Sequence, residues 1–318
     1  MDNKDKKILY ELDGNSRVSY SQIAKATRLT QETVRYRINS LVKEGIIQKF
    51  LAILNTTKLG NSYYQIMLKL QNVNEESKNF IIDFLKNNNK IAWIGNLEGS
   101  YDIAFILYVK NQIELQSMIN ELFEKFSKVI MKKTISVNLY AEFFPRDYLI
   151  NKERTKIKKA AYKPYEKSIT LDEIDGKICY LLGMNSRISS IEMAKKINIS
   201  SDAILQRLKR LKKEEIILGY NLVLNQEKIN QTHYKILIFL NNISKEKEKS
   251  LIMFSSINNR VIAIVKTLAE WDYEIDIEVE NVNQLKEFTM NLTNHFSDII
   301  KDYDLIRIVN MPKYTFYP

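Results

Sequence analysis

The sequence is poor in residues that make covalent or metal chemistry: one cysteine and two histidines in 318 positions. A lone Cys179 excludes an internal disulfide framework and fits a reducing compartment. His233 and His295 have no cysteine or histidine at ligand spacing, so the sequence supports no metal site, and it calls for no cofactor. No apolar run approaches the roughly 18 residues of a membrane span. The opening residues, Met1-Asp2-Asn3-Lys4-Asp5-Lys6-Lys7, lack the apolar stretch of a secretory signal. A cytoplasmic protein without a membrane segment is expected.

What is present is an ordinary globular composition, 45% hydrophobic and 27% charged, with a net charge of +10. Such an excess attracts polyanions, nucleic acid first among them. A bias toward Lys, Asn, Ile and Tyr also feeds the charge, so composition alone leaves the partner open.

Organisation is more informative. Laying each residue over the one 170 positions later aligns two halves without a gap. Asn15-Ser16-Arg17-Val18-Ser19 falls on Asn185-Ser186-Arg187-Ile188-Ser189, and Lys43-Glu44-Gly45-Ile46-Ile47 on Lys213-Glu214-Glu215-Ile216-Ile217. Of the 46 positions from 5 to 50, 17 are identical in the other half. The register persists through Tyr64 with Tyr234 and Asp102 with Asp272. The chain is a tandem duplication.

Each copy opens on three short amphipathic helices. Ile8, Leu9 and Leu12 share a face. Ser19 with Gln22, and Ser189 with Glu192, are capping-box pairs. Thr30 and Ser200 cap a third helix, whose Val34, Ile38 and Leu41 (Ile204, Leu208 and Leu211) share a face. About three residues separate the second and third helices, the helix-turn-helix spacing. Gly45 suits a left-handed helix end; Glu215 lacks that freedom, and a different ending is expected there. Alternating strand and helix patterns follow: strand 63–70, helix 75–87, strands 91–96 and 102–109, helix 112–126 capped by Asn111, and strand 134–140. The order βαββαβ is ferredoxin-like. The expected fold is α+β: two tandem units, each a (winged) helix-turn-helix followed by a ferredoxin-like domain. The segments are 1–55 and 169–225 for the helices, 60–145 and 230–312 for the sheets, and a linker at 146–168. From Arg146 to Lys167 the linker carries eight basic and three acidic residues. It reads either as a solvated tether or as a strap across DNA phosphates.

The motif Asp5-x-x-Ile8-x-x-x-Leu12, Asn15-Ser16-Arg17-Val18-Ser19, Ile23-Ala24, Leu29-Thr30, Val34-x-x-Arg37-Ile38-x-x-Leu41 and Gly45-Ile46-Ile47 resembles the Lrp/AsnC (leucine-responsive and asparagine regulator, "feast/famine") family. Lys58-Leu59-Gly60 and the Gly99-Ser100-Tyr101-Asp102 loop extend the likeness across residues 1–145. The second copy matches more weakly over about 172–312. The resemblance implies a transcription regulator that dimerises through its sheet, forms homo-oligomers and responds to an amino acid or other small effector. It places effector contacts at Gly99, Tyr101 and Asp102, with Asp272 in the second copy. Ala269, standing where the first copy has Gly99, weakens that site. A tandem copy implies a covalent pseudo-dimer.

Opposite the buried face, the third helix presents Glu32, Tyr36, Asn39, Ser40 and Lys43, flanked by Thr33, Arg35 and Arg37. The second copy presents Asp202, Gln206, Lys209, Arg210 and Lys213, flanked by Arg207. Such side chains suit the major groove of double-stranded DNA: Arg pairs with guanine, and Asn or Gln with adenine. Arg37 and Arg207 either meet phosphate or pair with acids of the first helix; Glu32 and Asp202 complement the helix dipole. Cys179 reads as a small core residue, and Trp93 and Trp271 as sheet packing. The rival reading is an enzyme on the same fold, a sirohaem decarboxylase, which uses histidine shortly after the helix-turn-helix. The stretch Leu54-Asn55-Thr56-Thr57-Lys58-Leu59-Gly60 has none, and His233 is the nearest candidate in the second copy. The sequence therefore favours a non-enzyme.

Overall fold

The computed structural model describes residues 1–154, 160–162, 168–241 and 243–317. The first copy runs α1 (Asn3–Gly14), α2 (Tyr20–Thr27), α3 (Gln31–Lys43), β1 (Ile47–Leu54), β2 (Ser62–Leu70), α4 (Glu75–Lys86), β3 (Ile91–Glu98), β4 (Ile103–Val109), α5 (Gln112–Phe126) and β5 (Ile130–Phe143). A short β6 (Ala160–Tyr162) follows. The second copy runs α6 (Glu173–Met184), α7 (Ser190–Ile197), α8 (Ser201–Lys213), β7 (Ile217–Leu224), β8 (Thr232–Leu240), α9 (Lys245–Ile257), β9 (Val261–Leu268), β10 (Tyr273–Val279), α10 (Val282–His295) and β11 (Ile300–Tyr314). The class is α+β, in two tandem helix-turn-helix and ferredoxin-like units.

The helices begin where their caps dictate. Ser19 and Ser189 form capping boxes with Gln22 and Glu192, and Thr30 and Ser200 accept from the N–H groups of Thr33 and Ala203. Arg28 and Asn198 end α2 and α7 in left-handed backbone, which turns the chain sharply into the third helix. The expectation that Glu215 would end its helix differently fails. Glu215 takes φ +56° where Gly45 takes φ +69°, and the following N–H groups, Ile46 and Ile216, both reach back to Leu41 and Leu211 carbonyls. The repeat geometry overrides the local preference. Lysines from the opposite copy reinforce both ends: Lys58 Nζ donates to Glu214 O and pairs with Glu215, and Lys228 Nζ donates to Glu44 O.

The two heads are interwoven. β1 and β7 pair antiparallel, so the strand that follows each third helix is paired by the other copy. Leu222, Leu224 and Ile229 close the core of α1–α3 around Ile8, Leu12 and Ile38. Leu51, Ile53 and Leu54 do the same for α6–α8. The segments 1–55 and 169–225 therefore do not hold separate cores.

The remaining strands form one sheet in the order β2-β4-β3-β11-β8-β10-β9-β5-β6, with β5 also pairing to β2. The β2–β5 pairing closes the sheet on itself, with the short β6 added beside β5. Closure depends on β5 and β11, both longer than the sequence pattern indicates. The start of each pairs within its own copy, and the end crosses to β9 or β3 of the other. Helices α4 and α5 cover one outer face and α9 and α10 the other. Between the inner faces lies a separate cluster that includes Trp93, Tyr101 and Trp271.

Candidate DNA-reading faces and a charged interior

In α3 and α8 the buried stripe is Val34, Ile38 and Leu41, and Ile204, Leu208 and Leu211. On the other side Tyr36 is 73% exposed, and Arg35, Asn39 and Lys43 are exposed with it. Gln206, Lys209 and Lys213 are exposed in α8. Thr33 and Ser40 are half-buried: Thr33 Oγ1 bonds the capping Thr30, and Ser40 donates to Glu44. Arg37 does not stand free. Its Nη1 lies 2.8 Å from both Asp2 and Asp5. Arg207 repeats this with Asp172 and Asp175, and Arg210 also reaches Asp175. These three arginines fasten the third helix to the first.

A symmetric clasp fixes the heads to one another. Ser16 and Ser186 meet Oγ to Oγ at 2.6 Å, buried. Arg17 donates to the Ser186 and Ile188 carbonyls, and Arg187 to those of Ser16 and Val18. Arg17 lies over the Tyr220 ring and Arg187 over Phe50, the same position one repeat apart.

The loop residues assigned to an effector hold the sheet together. Asp102 Oδ2 accepts from Leu70 N at 2.7 Å, and Asp272 Oδ2 from Leu240 N at 2.8 Å. Gly99 has φ +132°, and a Cβ there would meet Leu305 O at 3.0 Å. Tyr101 is buried, with its hydroxyl 3.0 Å from Thr134 Oγ1 and its ring edge-on to Trp271. The linker also departs from a solvated tether at its start. Arg146 and Arg154 are buried, Arg154 bonded to Asp147 and to the Ser256 and Val261 carbonyls. Lys156, Lys158 and Lys159 lie outside the described residues. Cys179 is fully buried, and that burial pushes its thiol up to about 12.

Inside the closed sheet is a feature that sequence reasoning missed. The inner face of the second copy carries His233, Lys235, Glu274, Asp276 and Glu278, all buried. One repeat earlier stand Tyr63, Gln65, Ala104, Ile106 and Tyr108. Lys235 Nζ lies 2.6 Å from Glu274 and 3.0 Å from Asp276, and His233 Nε2 lies 3.0 Å from Asp276. Gln65 and Trp271 both donate to Glu274. Arg146 clamps Glu278 through Nε and Nη2, while its N–H and Nη1 hold Asp13 of α1. Burial opposes ionisation of Asp276 and Glu278, but Lys235 and Arg146 outweigh it and hold each carboxyl at about 2. For Asp13 burial wins over Arg146, and its carboxyl is pushed up.

Comparison with known proteins agrees with this architecture. A model of winged helix-turn-helix DNA-binding domains matches residues 1–48 and 171–217. An HTH-type transcriptional regulator of Pyrococcus furiosus, itself uncharacterized, is 33% identical over 130 residues, covering 41% of this chain and 84% of that protein. The leucine-responsive regulatory protein of Haemophilus influenzae is 40% identical over 78 residues, 24% of this chain and 43% of its own length. Among solved structures, the siroheme decarboxylase NirDL superposes along the whole chain, with TM-score 0.62, 14% identity, and coverage of 98% of this chain and 93% of that one. That likeness is one of fold. The heads and the closed sheet thus define a helix-turn-helix regulator with a ferredoxin-like body. The chain belongs to the Lrp/AsnC family of transcription regulators.

Proposed function

We propose that this protein regulates transcription by binding duplex DNA through two unlike heads, α3 and α8, held on one chain as the covalent counterpart of a dimer. The observation that carries the reading is the serine-arginine clasp, which pairs the heads while their outward faces stay exposed. In this reading Arg35, Tyr36 and Asn39 meet bases from one head and Gln206 and Lys209 from the other. Lys43 and Lys213 contact phosphate, and Thr33 and Ser40 serve at the margin. Arg37, Arg207 and Arg210 position their helices and reach DNA only by sharing their carboxylate partners. Assembly into homo-oligomers, and response to an amino acid or other small molecule near Gly99, Tyr101, Asp102 and Asp272, belong to the same proposal and rest on family membership.

The enzymatic reading draws on the shared fold. Against it, the cations near His233 are already committed: Lys235 lies between two carboxylates, and Arg146 is bonded to Glu278 and Asp13. A substrate carboxylate would have to displace them.

Selection from randomised duplexes tests the proposal. An asymmetric site is expected, with Asn39→Ala relaxing base preference in one half and Gln206→Ala in the other. No duplex binding at low salt, or conversion of sirohaem to a decarboxylated product by the purified chain, would overturn it.

A further inference from the structure

Between the inner faces of the closed sheet lies a cavity of about 120 Å³, bordered by His233, Asn138, Lys235, Arg146, Glu274 and Asp276 on its polar side. Tyr63 and Tyr108 form part of its apolar wall. Their hydroxyls are engaged elsewhere, Tyr63 with Thr56 and Leu54 O, and Tyr108 with Thr315 O, so the rings border the space as hydrocarbon. Two features indicate that this space is built to receive something. His233 is 5% exposed and Asn138 6% exposed. His233 Nδ1 and Asn138 Oδ1 have no hydrogen-bond partner among the described residues. A buried polar atom left without a partner is destabilising, and a ligand that satisfies it removes that cost.

The chemistry of the missing partner follows from what the lining lacks. Nε2 of His233 faces the Asp276 carboxylate, and Nδ1 is the ring atom left without a partner. Asn138 Oδ1, an amide oxygen, can only accept. Two permanent cations, Arg146 and Lys235, stand among four carboxylates, Asp13, Glu274, Asp276 and Glu278. Even with one carboxyl protonated, anions outnumber cations. An anionic ligand would meet no free cation, while a cationic one meets surplus negative charge, the Asn138 Oδ1 acceptor and tyrosine rings suited to cation–π contact. No group of three or more His, Cys, Asp or Glu side chains among the described residues is placed to hold a metal ion.

We infer that the interior of the closed sheet is a binding site for a small organic cation, a primary ammonium on a short apolar tail, held between His233, Asn138 and the carboxylates of β10. The second copy supplies His233, Lys235 and the β10 carboxylates, and the first copy has uncharged residues at the matching positions, so one chain has one such site. The charged network of the site reaches the first head. Glu278 is joined through Arg146 to Asp13 in α1, whereas the equivalent positions in the other copy are Phe316 and Gly183. Occupancy is therefore expected to alter the first head's DNA affinity; this last step rests on the proposed DNA reading, while the site itself does not.

Calorimetry on the full chain without DNA tests the site, using n-butylammonium chloride with sodium butyrate as the matched anion. The expected result is saturable binding of one n-butylammonium per chain and none of butyrate. His233→Tyr and Asn138→Ile each install the residue that the other copy carries, and each should weaken binding about tenfold or more. Circular dichroism reports whether each variant is folded; the wild-type titration decides the matter even if neither is. No n-butylammonium binding by wild type, equal affinity for butyrate, or unchanged affinity in folded variants would overturn the inference. A DNA titration with and without n-butylammonium then reads the coupling separately, so loss of DNA binding cannot be mistaken for loss of the site.

Discussion

Ser16 and Ser186 occupy the same position in the two copies and touch one another, hydroxyl to hydroxyl, at 2.6 Å in the buried junction of the two heads. A contact between equivalent residues marks a local two-fold axis, and the arginines that follow obey it, each crossing to the other copy's carbonyls. Arg17→Ala and Arg187→Ala should each strand two carbonyl acceptors and lower stability by about 2 kcal/mol or more. Urea denaturation measures this. By the symmetry, the two losses should be alike, and the exposed Arg35→Ala should show almost none.

The ends of the third helices make a paired test of backbone strain. Glu215 holds φ +56°, a left-handed conformation that costs a residue with a side chain about 1 kcal/mol. Glu215→Gly relieves it but gives up an ion pair with the buried Lys58, itself worth about 1 kcal/mol because Glu215 faces solvent. Gly45→Ala introduces the same strain with no compensating pair, and its Cβ would press on Lys228 Nζ at 3.1 Å. Thermal denaturation should therefore find Gly45→Ala destabilised by about 1 kcal/mol and Glu215→Gly unchanged or slightly stabilised.

Much of the fold was legible because its signals are local. Ser19 and Ser189 announce their helices within four residues, and the short turn between the second and third helices is set by Arg28 and Asn198. The heads' sharing of cores was not legible, since Ile47 pairs with Leu224 across most of the chain and no local pattern records it. The charged interior was hidden for a different reason. His233 and Lys235 alternate with Tyr234 and Ile236 just as a solvent-facing strand would. Only the closing of the sheet on itself makes that face interior. The usable signal was the other copy, where Tyr63, Gln65, Ala104, Ile106 and Tyr108 are uncharged at the matching positions. The arginines of the linker misled in the same way: residue type suggested solvent or phosphate, and burial turned Arg146 into a clamp.

The buried carboxylates predict an acid limb of stability. Glu278 is held at about 2 when folded, against an ordinary value near 4.5, because Arg146 outweighs the burial that would raise it. A depressed carboxyl stabilises the fold above its unfolded value, and this contribution is lost as pH falls from about 4.5 through about 2. The shift corresponds to about 3 kcal/mol. Asp13, pushed up, acts with the opposite sign, its contribution present at low pH and lost as pH rises through its folded value. Glu278→Gln should be less stable than wild type at neutral pH, with the difference shrinking across that acid window. A constant difference from neutral pH to pH 2 would place the stabilisation elsewhere.

Salt dependence separates the cations that meet DNA from those that build the protein. Each phosphate neutralised releases counterions and adds about 0.9 to the slope of log affinity against log salt. Arg154 cannot contribute, because its guanidinium is buried among Asp147 and backbone carbonyls. Lys156, Lys158 and Lys159 follow directly in the chain, in the segment whose sequence reads either as a tether or as a strap across DNA phosphates. Replacing all three with Gln should flatten the salt slope by up to about 3 and weaken specific and non-specific binding by similar factors. Phosphates carry no sequence information, so the selected operator should not change. Arg154→Gln should do the reverse, leaving the slope alone while destabilising the fold by unpairing Asp147. Electrophoretic mobility shifts over a range of salt, alongside urea denaturation, measure both. If the triple variant keeps the full slope, the segment is a tether only, and the phosphate contacts must come from Lys43 and Lys213 in the heads.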